Sequence, residues 1–386
     1  MRRFAACMDE GDGGRRATMK QISELISEYD ETASLEDAFT IPASWYTNPE
    51  MLQLELQAVF GRTWQVIGRT GQVASSGDYI TAQVGNEPVL AVRGADGLLG
   101  AFFNVCRHHA AAVAVEACGR AQSFRCPYHG WTYGLDGSLK GAPEFKEVRN
   151  FDGAKNGLVP VRVDTWEQFV FVALDPATPP LRGFLVGLAE VVMPLKLESL
   201  KFYTRKVYTL NCNWKVFVDN YLDGGYHVPH LHKGLNNVLE YKQYTIENGE
   251  RYSVQSSPMV RSEEDNSAAT TRRGEGAYYL WLYPNFMINV YEGVMDTNLV
   301  LPIGLDRTQV IFDFYFDDVS PERDVRNKES VAVSDKIHEE DVGICESVQR
   351  GLNSRAYGAG RLSVRREAGE HLFHRLLAQQ LKSMLP

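Results

Sequence analysis

Two short motifs that each combine a cysteine with a histidine constrain this chain more than any other feature. The first reads Cys106-Arg107-His108-His109, and the second reads Cys126-Pro127-Tyr128-His129-Gly130-Trp131. Residues 109 to 125 separate the two Cys/His pairs. Thiolates and imidazoles are common metal ligands, so two loops that each supply one of both predict a four-ligand metal site.

Two kinds of metal site use this ligand set. A Rieske [2Fe–2S] centre has two cysteines on one iron and two histidines on the other, which raises its potential because imidazole is neutral. A Cys₂His₂ zinc site needs the same atoms, but it usually takes both cysteines from one loop and both histidines from another. Here each loop supplies one of each kind, which favours a Rieske centre. The predicted ligands are Cys106, His108, Cys126 and His129, and we expect Trp131 to shield them from water.

A second histidine-rich segment follows a predicted helix at 213–226. The helix ends at a Gly-Gly pair, and Pro229 prevents a regular helix between His227 and His232, so a turn could bring these two imidazoles together. Two histidines and a carboxylate form the site of non-heme Fe(II) oxygenases. The alternative is that these histidines only line a loop. The cluster upstream favours iron, because a one-electron donor needs an acceptor such as O₂ bound to Fe(II).

Composition limits the possible function classes. The 386 residues suffice for two or three domains, and a net charge of −9 argues against nucleic acid as a partner. The four cysteines outside the cluster motifs show no disulfide framework, which indicates a reducing compartment. No apolar run approaches the ~18 residues that a membrane span needs. The N-terminal stretch is neither a secretion signal nor a good transit peptide.

The periodicity predicts an α+β protein with several domains. Residues 1–20 are expected to be a disordered tail, and 21–63 to form helices that pack on the catalytic domain. Short β-rich runs predict an antiparallel Rieske domain over 64–180, which ends near three prolines. Residues 181–386 then form the catalytic domain, with strands in 277–290, 297–301 and 310–315 and helices at 213–226 and 329–352.

Together these motifs resemble the α subunits of Rieske non-heme iron oxygenases, and they are similar to the plant choline monooxygenase branch of that family. The resemblance runs from about Leu35 to Leu377. It rests on Asn104–Ala110, Cys126–Gly137, Asp223–Pro229, Tyr283–Asn289 and Met295–Pro302. The iron motifs are those of the whole superfamily, whereas the last two stretches resemble the quaternary-ammonium branch.

The resemblance implies a helix-grip catalytic domain, in which an antiparallel sheet is covered by helices. It implies a carboxylate on a late helix as the third iron ligand, for which Asp341 is the first choice and Glu340 the second. It also implies a threefold ring, in which electrons pass from the cluster of one subunit to the iron of its neighbour. In much of the superfamily a carboxylate three residues before the first iron-binding histidine bridges the two centres. That position is Gly224 here, so Asp223 or Asp219 is expected to replace it.

The function implied by the resemblance is hydroxylation of choline to hydrated betaine aldehyde, with O₂ and electrons from reduced ferredoxin or a ferredoxin-type reductase. Aromatic faces attract a trimethylammonium group, and the predicted cage residues are Trp281, Tyr283, Phe286 and Tyr291. The alternative for this aromatic run is plain core.

Two other functions remain open on sequence grounds. The first is demethylation or C–N cleavage of another quaternary ammonium compound, such as betaine, carnitine or proline betaine. The second is a pure Rieske electron carrier. The expected compartment is the chloroplast stroma in a plant or alga, and the cytoplasm otherwise.

Overall fold

The structure, a computed structural model, describes residues 21–260 and 271–385. The chain forms two compact units: Val59–Leu185 is one, and Met1–Ala58 with Val186–Pro386 is the other. The tail expected at 1–20 lies outside the described residues. Within the described ranges, no helix combines the length and the apolar character needed to cross a membrane.

The unit Val59–Leu185 is built almost entirely from short antiparallel strands. They are β1 (Gln65–Arg69), β2 (Asp78–Val84), β3 (Glu87–Arg93), β4 (Leu99–Phe103), β5 (Cys118–Arg120), β6 (Phe124–Arg125), β7 (Thr132–Tyr133), β8 (Leu139–Gly141), β9 (Pro160–Trp166) and β10 (Phe169–Ala173). One sheet has the order β1-β10-β9-β4-β3-β2-β5, and a small sheet has the order β6-β7-β8. The antiparallel β architecture expected for this part of the chain is confirmed.

Strand β3 shows why this unit has two cores. Its side chains alternate between the two faces of the sheet, as they do in any strand. Leu90 and Val92 pack in a core that also contains Cys106, Cys126 and Trp131. Val89 and Ala91 face the other side, where they pack with strands β1, β2, β9 and β10. One face of the sheet therefore supports the two ligand loops.

The other unit contains a second seven-stranded antiparallel sheet, of order β11-β17-β16-β15-β14-β13-β12. Its strands are β11 (Lys201–Leu210), β12 (Thr245–Asn248), β13 (Tyr252–Pro258), β14 (Gly276–Leu282), β15 (Phe286–Tyr291), β16 (Val294–Gly304) and β17 (Arg307–Phe316). Three main helices accompany it: α1 (Trp214–Leu222), α2 (Asp324–Leu352) and α3 (Ala368–Lys382). Shorter helices lie at Ala43–Thr47, Pro49–Glu55, Leu188–Val192, Val228–Leu231 and Lys233–Asn236, and Leu181–Phe184 is a short helix of the first unit.

Helix α1 lies at the centre of this unit, because it packs on strands β16 and β17 and contacts both α2 and α3. Asn213 caps its N-terminus by accepting a hydrogen bond from the backbone N–H of Lys215. Gly224 and Gly225 follow its C-terminus with φ angles of 66° and 67°, which are left-handed values that favour glycine. The predicted helix at 213–226 is therefore confirmed in type but ends earlier, and the helix expected at 329–352 begins at Asp324.

The strand predicted over 277–290 is wrong in one respect. The chain reverses direction at Tyr283-Pro284-Asn285, so that β14 and β15 pair as a hairpin with Leu282 opposite Phe286. Proline cannot donate to a β ladder, which is why the strand ends here. The α+β architecture, with a sheet covered by helices, is the helix-grip arrangement expected from the family resemblance.

Candidate metal centres and substrate cavity

Two tight loops bring the four predicted cluster ligands together. In each loop the backbone carbonyl of the cysteine accepts a hydrogen bond from the backbone N–H four residues later. Cys106 accepts from Ala110, and Cys126 accepts from Gly130. Cys106 and Cys126 are both buried, and neither forms a disulfide within the described part of the chain. The rings of His108 and His129 lie 4.7 Å apart between centroids. The structure thus brings the two ligand loops that the sequence predicts close together.

The surroundings of these side chains fit an iron–sulfur cluster. His108 Nδ1 is buried and has no hydrogen-bond partner among the residues that the structure describes, so a metal ion is a natural occupant for its lone pair. Trp131 stacks on the His108 ring at 4.9 Å with an interplanar angle of 3°. Burial acts to raise the pKa of Cys106, but hydrogen bonds from Tyr133, the His108 backbone and Cys126 outweigh it and hold the pKa below its ordinary value. A lowered pKa favours the thiolate, which is the ligating form.

The second predicted metal site forms in the other unit. Ligand atoms of His227, His232 and Asp341 all lie within 4.8 Å of one another. Asp341 Oδ1 is 3.0 Å from His232 Nε2 and 3.8 Å from His227 Nε2. Two imidazoles and one carboxylate that converge from one side are the donor set that non-heme Fe(II) takes. This geometry favours Asp341 over Glu340 as the third ligand.

Three neighbouring side chains orient this triad. Asp223 Oδ2 lies 2.5 Å from His227 Nδ1, and Glu340 Oε2 lies 2.7 Å from His232 Nδ1. Both histidines therefore turn their Nε2 atoms toward Asp341, whose carboxylate also accepts a hydrogen bond of 2.9 Å from Asn220. Carboxylates on the far side of a ligating imidazole fix its tautomer and orientation. Burial acts to lower the pKa of His232, but its contacts with Asp341 and Glu340 outweigh burial and raise it.

Gly224 explains why the superfamily's bridging carboxylate is absent at its usual position. A Cβ atom on Gly224 would lie 2.0 Å from the carbonyl oxygen of Arg366, so no side chain fits there. The carboxylate one residue earlier, Asp223, instead accepts a hydrogen bond from the backbone N–H of His227 at 3.0 Å as well as contacting its ring.

Asp219, the other candidate for this role, has different partners. Its carboxylate accepts a hydrogen bond from the Tyr46 hydroxyl at 2.6 Å and lies 3.0 Å from His374 Nε2. Glu370 lies 3.9 Å from the same nitrogen, and burial together with nearby carboxylates raises its pKa well above the ordinary value. Sequence reasoning did not predict His374 and Glu370, because these two lie on a helix far along the chain from Asp219 and belong to no recognisable motif.

A cavity of about 110 Å³ opens onto the His/His/Asp triad. Four tyrosines form much of its wall: Tyr221, Tyr244, Tyr279 and Tyr291. The polar side chains of the wall include Gln255, Arg272, Asn289, Asp296, Asn298, Ser334 and His338. The cavity thus combines aromatic faces with a polar wall next to a metal-ligand triad.

The tyrosine hydroxyls are occupied by the protein itself. Tyr221 donates to Asn289 at 2.8 Å, and Tyr244 donates to Gln255 at 2.8 Å. The hydroxyls of Tyr279 and Tyr291 bond to each other at 2.9 Å. The Tyr279 ring is nearly perpendicular to that of Tyr291 and nearly parallel to that of Tyr244. Rings held in this way present π surfaces, which attract a cation that has no hydrogen to donate.

Of the four predicted cage residues, only Tyr291 lines this cavity. Trp281 is on the same strand as Tyr279 but lies farther along it, where it packs against Phe373 of helix α3. Tyr283 lies in the hairpin turn, where it contacts Trp281, and Phe286 begins the returning strand in the core. The predicted residues therefore lie in the aromatic segment beside the cavity, but three of the four are directed elsewhere.

Comparison with known proteins gives the family of each unit. The Rieske [2Fe-2S] domain matches residues 63–152, and the catalytic domain of the ring-hydroxylating alpha subunits matches residues 197–383.

Relatives cover most of the chain. The chloroplastic choline monooxygenase of Arabidopsis thaliana is 41% identical over 377 residues, which are 94% of this chain and 88% of that protein. The carnitine monooxygenase oxygenase subunit of Escherichia coli (strain K12) is 33% identical and covers 91% of this chain and 96% of its own length. A solved quaternary ammonium Rieske monooxygenase superposes with a TM-score of 0.81 at 30% identity, and the match covers 90% of this chain and 96% of that structure.

Proposed function

The chain belongs to the ring-hydroxylating alpha subunits that carry a Rieske [2Fe–2S] domain, an oxidoreductase family, and we propose that within this family it hydroxylates choline. The products are hydrated betaine aldehyde and water, formed from choline, O₂, two electrons and two protons. The matched catalytic domain and its His/His/Asp triad favour an oxygenase over a pure electron carrier. The single observation that carries the proposal is the tyrosine-walled cavity beside that triad.

The two iron centres of this family supply, when bound, the electron transfer and O₂ chemistry that the reaction needs. We assign Cys106, His108, Cys126 and His129 to the cluster, and His227, His232 and Asp341 to the mononuclear iron. The chain's own residues do the rest. Asp223 and Glu340 keep the two iron-binding imidazoles in one tautomer and orientation.

The cavity wall recognises the substrate. Tyr244, Tyr279 and Tyr291 present ring faces to the trimethylammonium group, at about 0.5–2 kcal/mol per cation–π contact. Their fixed hydroxyls keep the rings in place, so little side-chain entropy is lost on binding. An ammonium group held at the tyrosines leaves the carbinol carbon free to face the triad, where hydroxylation gives the gem-diol.

The choice of choline among quaternary ammonium compounds is supported by the choline monooxygenase of Arabidopsis thaliana, which is 41% identical over nearly the whole chain. We further propose a reduced ferredoxin or ferredoxin-type reductase as the electron donor. A homotrimeric ring, in which each cluster serves the iron of the neighbouring subunit, completes the proposal.

The proposal is tested by product analysis with purified protein, ferredoxin, a reductase and O₂. Choline, glycine betaine, carnitine and proline betaine are supplied separately, and His227→Ala is the inactive control. We expect betaine aldehyde from choline in a one-to-one ratio with O₂ consumed. Formaldehyde from betaines, or trimethylamine from carnitine, with no betaine aldehyde from choline, would show that the protein demethylates or cleaves another substrate.

A further inference from the structure

One wall of the cavity carries a buried carboxylate that the iron site does not use. Asp296 of strand β16 is only 3% exposed and lines the cavity. Its Oδ2 accepts a hydrogen bond of 2.7 Å from Asn289. Its Oδ1 accepts no hydrogen bond from any residue that the structure describes, and the nearest cation is Arg272 at 3.8 Å. Burial raises the pKa of this carboxyl group, against the opposing effects of Arg272 and Asn289, so a further cation nearby would favour its charged form.

Arg272 is committed to other partners. Its two terminal nitrogens donate to Ser330 at 2.8 Å and to Ser334, both on helix α2. Its guanidinium carbon lies 4.7 Å from the centre of the Tyr291 ring. Its Nε is sealed from solvent and has no hydrogen-bond partner among the described residues. The serines and the Tyr291 ring therefore hold the guanidinium against the protein.

Arg272 keeps its positive charge, because its serine partners are neutral, and the other charged side chains of the described wall are acidic. Among the described residues that line it, the only acids are Asp296 and the iron-ligand candidate Asp341. Burial lowers the pKa of His338 to about 4, so this histidine is neutral near pH 7. A ligand with a single positive charge complements this wall, whereas a zwitterion would bring a carboxylate toward Asp296.

We propose that Asp296 is the counter-ion for the substrate's ammonium group and makes this cavity select a cationic amino alcohol over a zwitterionic trimethylammonium acid. The inference rests on the proposed function and deepens it, because the tyrosine rings bind the methyl groups while Asp296 supplies the opposite charge. Asn289 positions the carboxylate through its bonds to Asp296 and to Asn298, the latter at 3.0 Å.

The test separates charge from shape. Choline is compared with 3,3-dimethylbutan-1-ol, its neutral carbon analogue, and with glycine betaine. Dissociation constants are measured by calorimetry on the iron-loaded protein without O₂, so no turnover is needed. The readout is the ratio of the dissociation constant of the analogue to that of choline, in the parent and in Asp296→Asn.

We expect this ratio to fall about 30-fold in Asp296→Asn, which corresponds to about 2 kcal/mol for a buried charge pair. Binding of the neutral analogue should change by less than about threefold, because its shape is still accepted. Asp313→Asn is the matched control. Asp313 is a buried carboxylate on the neighbouring strand that pairs with Arg205 and does not line the cavity. It should keep the parent ratio.

A second variant keeps the inference testable if Asp296→Asn does not fold. Asn298→Asp adds a carboxylate two residues away on the same strand and in the same wall. This variant should raise the ratio of the neutral analogue's dissociation constant to that of choline. It should also weaken the binding of glycine betaine. An unchanged ratio in Asn298→Asp or in a folded Asp296→Asn, or a parent that binds glycine betaine as tightly as choline, would overturn the inference. A failure of the proposed function has a different result: choline would bind with the predicted charge preference, but no betaine aldehyde would form.

Discussion

At the scale of single residues, one histidine is buried without a hydrogen-bond partner among the described residues. His338 of helix α2 is 2% exposed, and neither ring nitrogen has a partner within the described part of the chain. The rings of Tyr208, Phe217 and Phe312 surround it at 4.1, 5.8 and 4.9 Å between centroids. Burial lowers its pKa to about 4, against opposing effects of Asp341 and Asp335. A charged imidazole would be poorly solvated there.

We expect this histidine to make the protein sensitive to acid. Its pKa is about 6.5 when exposed and about 4 when folded, so the unfolded state binds more protons between these values. The stabilising contribution is complete above pH 6.5 and is lost as the pH falls toward 4. By pH 5 the loss is about 2 kcal/mol. Thermal unfolding midpoints of the parent and His338→Phe at pH 7.5 and pH 5 measure this effect. Between pH 7.5 and pH 5, the unfolding midpoint should fall less in the variant than in the parent. An equal fall in both proteins would contradict the prediction.

Two histidines of the segment 227–232 have different surroundings. His227 contacts Asp223 and faces Asp341, whereas His230 is exposed and belongs to neither metal-ligand group found in the described residues. We expect His227→Ala to lose the mononuclear iron and turnover but to keep the Rieske absorption, because the two sites share no ligand. Iron content should fall from about three to about two per chain. His230→Ala is the matched control and should retain all three. Turnover near the parent level in His227→Ala would remove this residue from the active site.

At the scale of secondary-structure elements, a buried ion pair ties helix α1 to the N-terminal segment. Lys215 Nζ lies 2.6 Å from Glu55 Oε1, and the Trp214 indole donates to Glu55 Oε2 at 2.7 Å. Both charged side chains are fully buried. Burial raises the pKa of Glu55 and lowers that of Lys215, so each charge depends on its partner.

We expect Lys215→Met to destabilise the protein by about 3 kcal/mol, because it leaves Glu55 buried without a counter-charge. The double variant Glu55→Gln/Lys215→Met should be more stable than Lys215→Met alone. The exposed pair Lys328–Asp324 provides the control, and Lys328→Ala should cost less than about 1 kcal/mol. Thermal unfolding at two salt concentrations measures all three, and the Lys215 effect should not depend on salt. A Lys215→Met protein as stable as the control would show that the pair does not hold α1.

The secondary-structure elements also show which parts of the site can be predicted from the sequence. Ligand spacing predicted the two Cys/His pairs and the pair His227 and His232, because a ligand pair in one loop is local information, whereas Asp341 was implied by the family resemblance. The candidate substrate residues depended on where the aromatic run turns and on which end of it helix α3 covers. Phe373, which packs on Trp281, comes from the far end of the chain, so that contact cannot be read from the hairpin itself. The Asp219–His374–Glu370 group was missed for the same reason, since its members meet only in the folded protein.

At the scale of the whole molecule, the proposed function requires electrons to pass from the Rieske cluster to the mononuclear iron. The family resemblance implies a bridging carboxylate three residues before the first iron-binding histidine, and Gly224 leaves that position without a side chain here. Asp223 contacts His227, whereas Asp219 is bonded to Tyr46 and His374 and forms no hydrogen bond or ion pair with either iron-site histidine. This difference in partners makes Asp223 the better candidate for the link.

We expect Asp223→Asn to slow electron transfer to the mononuclear iron while both metal centres remain bound. The amide oxygen can still accept the hydrogen bond from His227, so the ligand should stay oriented, but the negative charge that stabilises the link is lost. Single-turnover oxidation of the pre-reduced cluster, with choline and O₂ present, should be at least about tenfold slower than in the parent.

Asp219→Asn is the matched control. Asp219 lies one helical turn away, and its hydrogen bonds are directed to Tyr46 and His374, so the cluster of this variant should oxidise near the parent rate. A slow Asp219→Asn beside a normal Asp223→Asn would transfer the role to the Asp219–His374 pair. Parent rates in both variants, with iron content unchanged, would mean that no carboxylate at this end of α1 links the two centres.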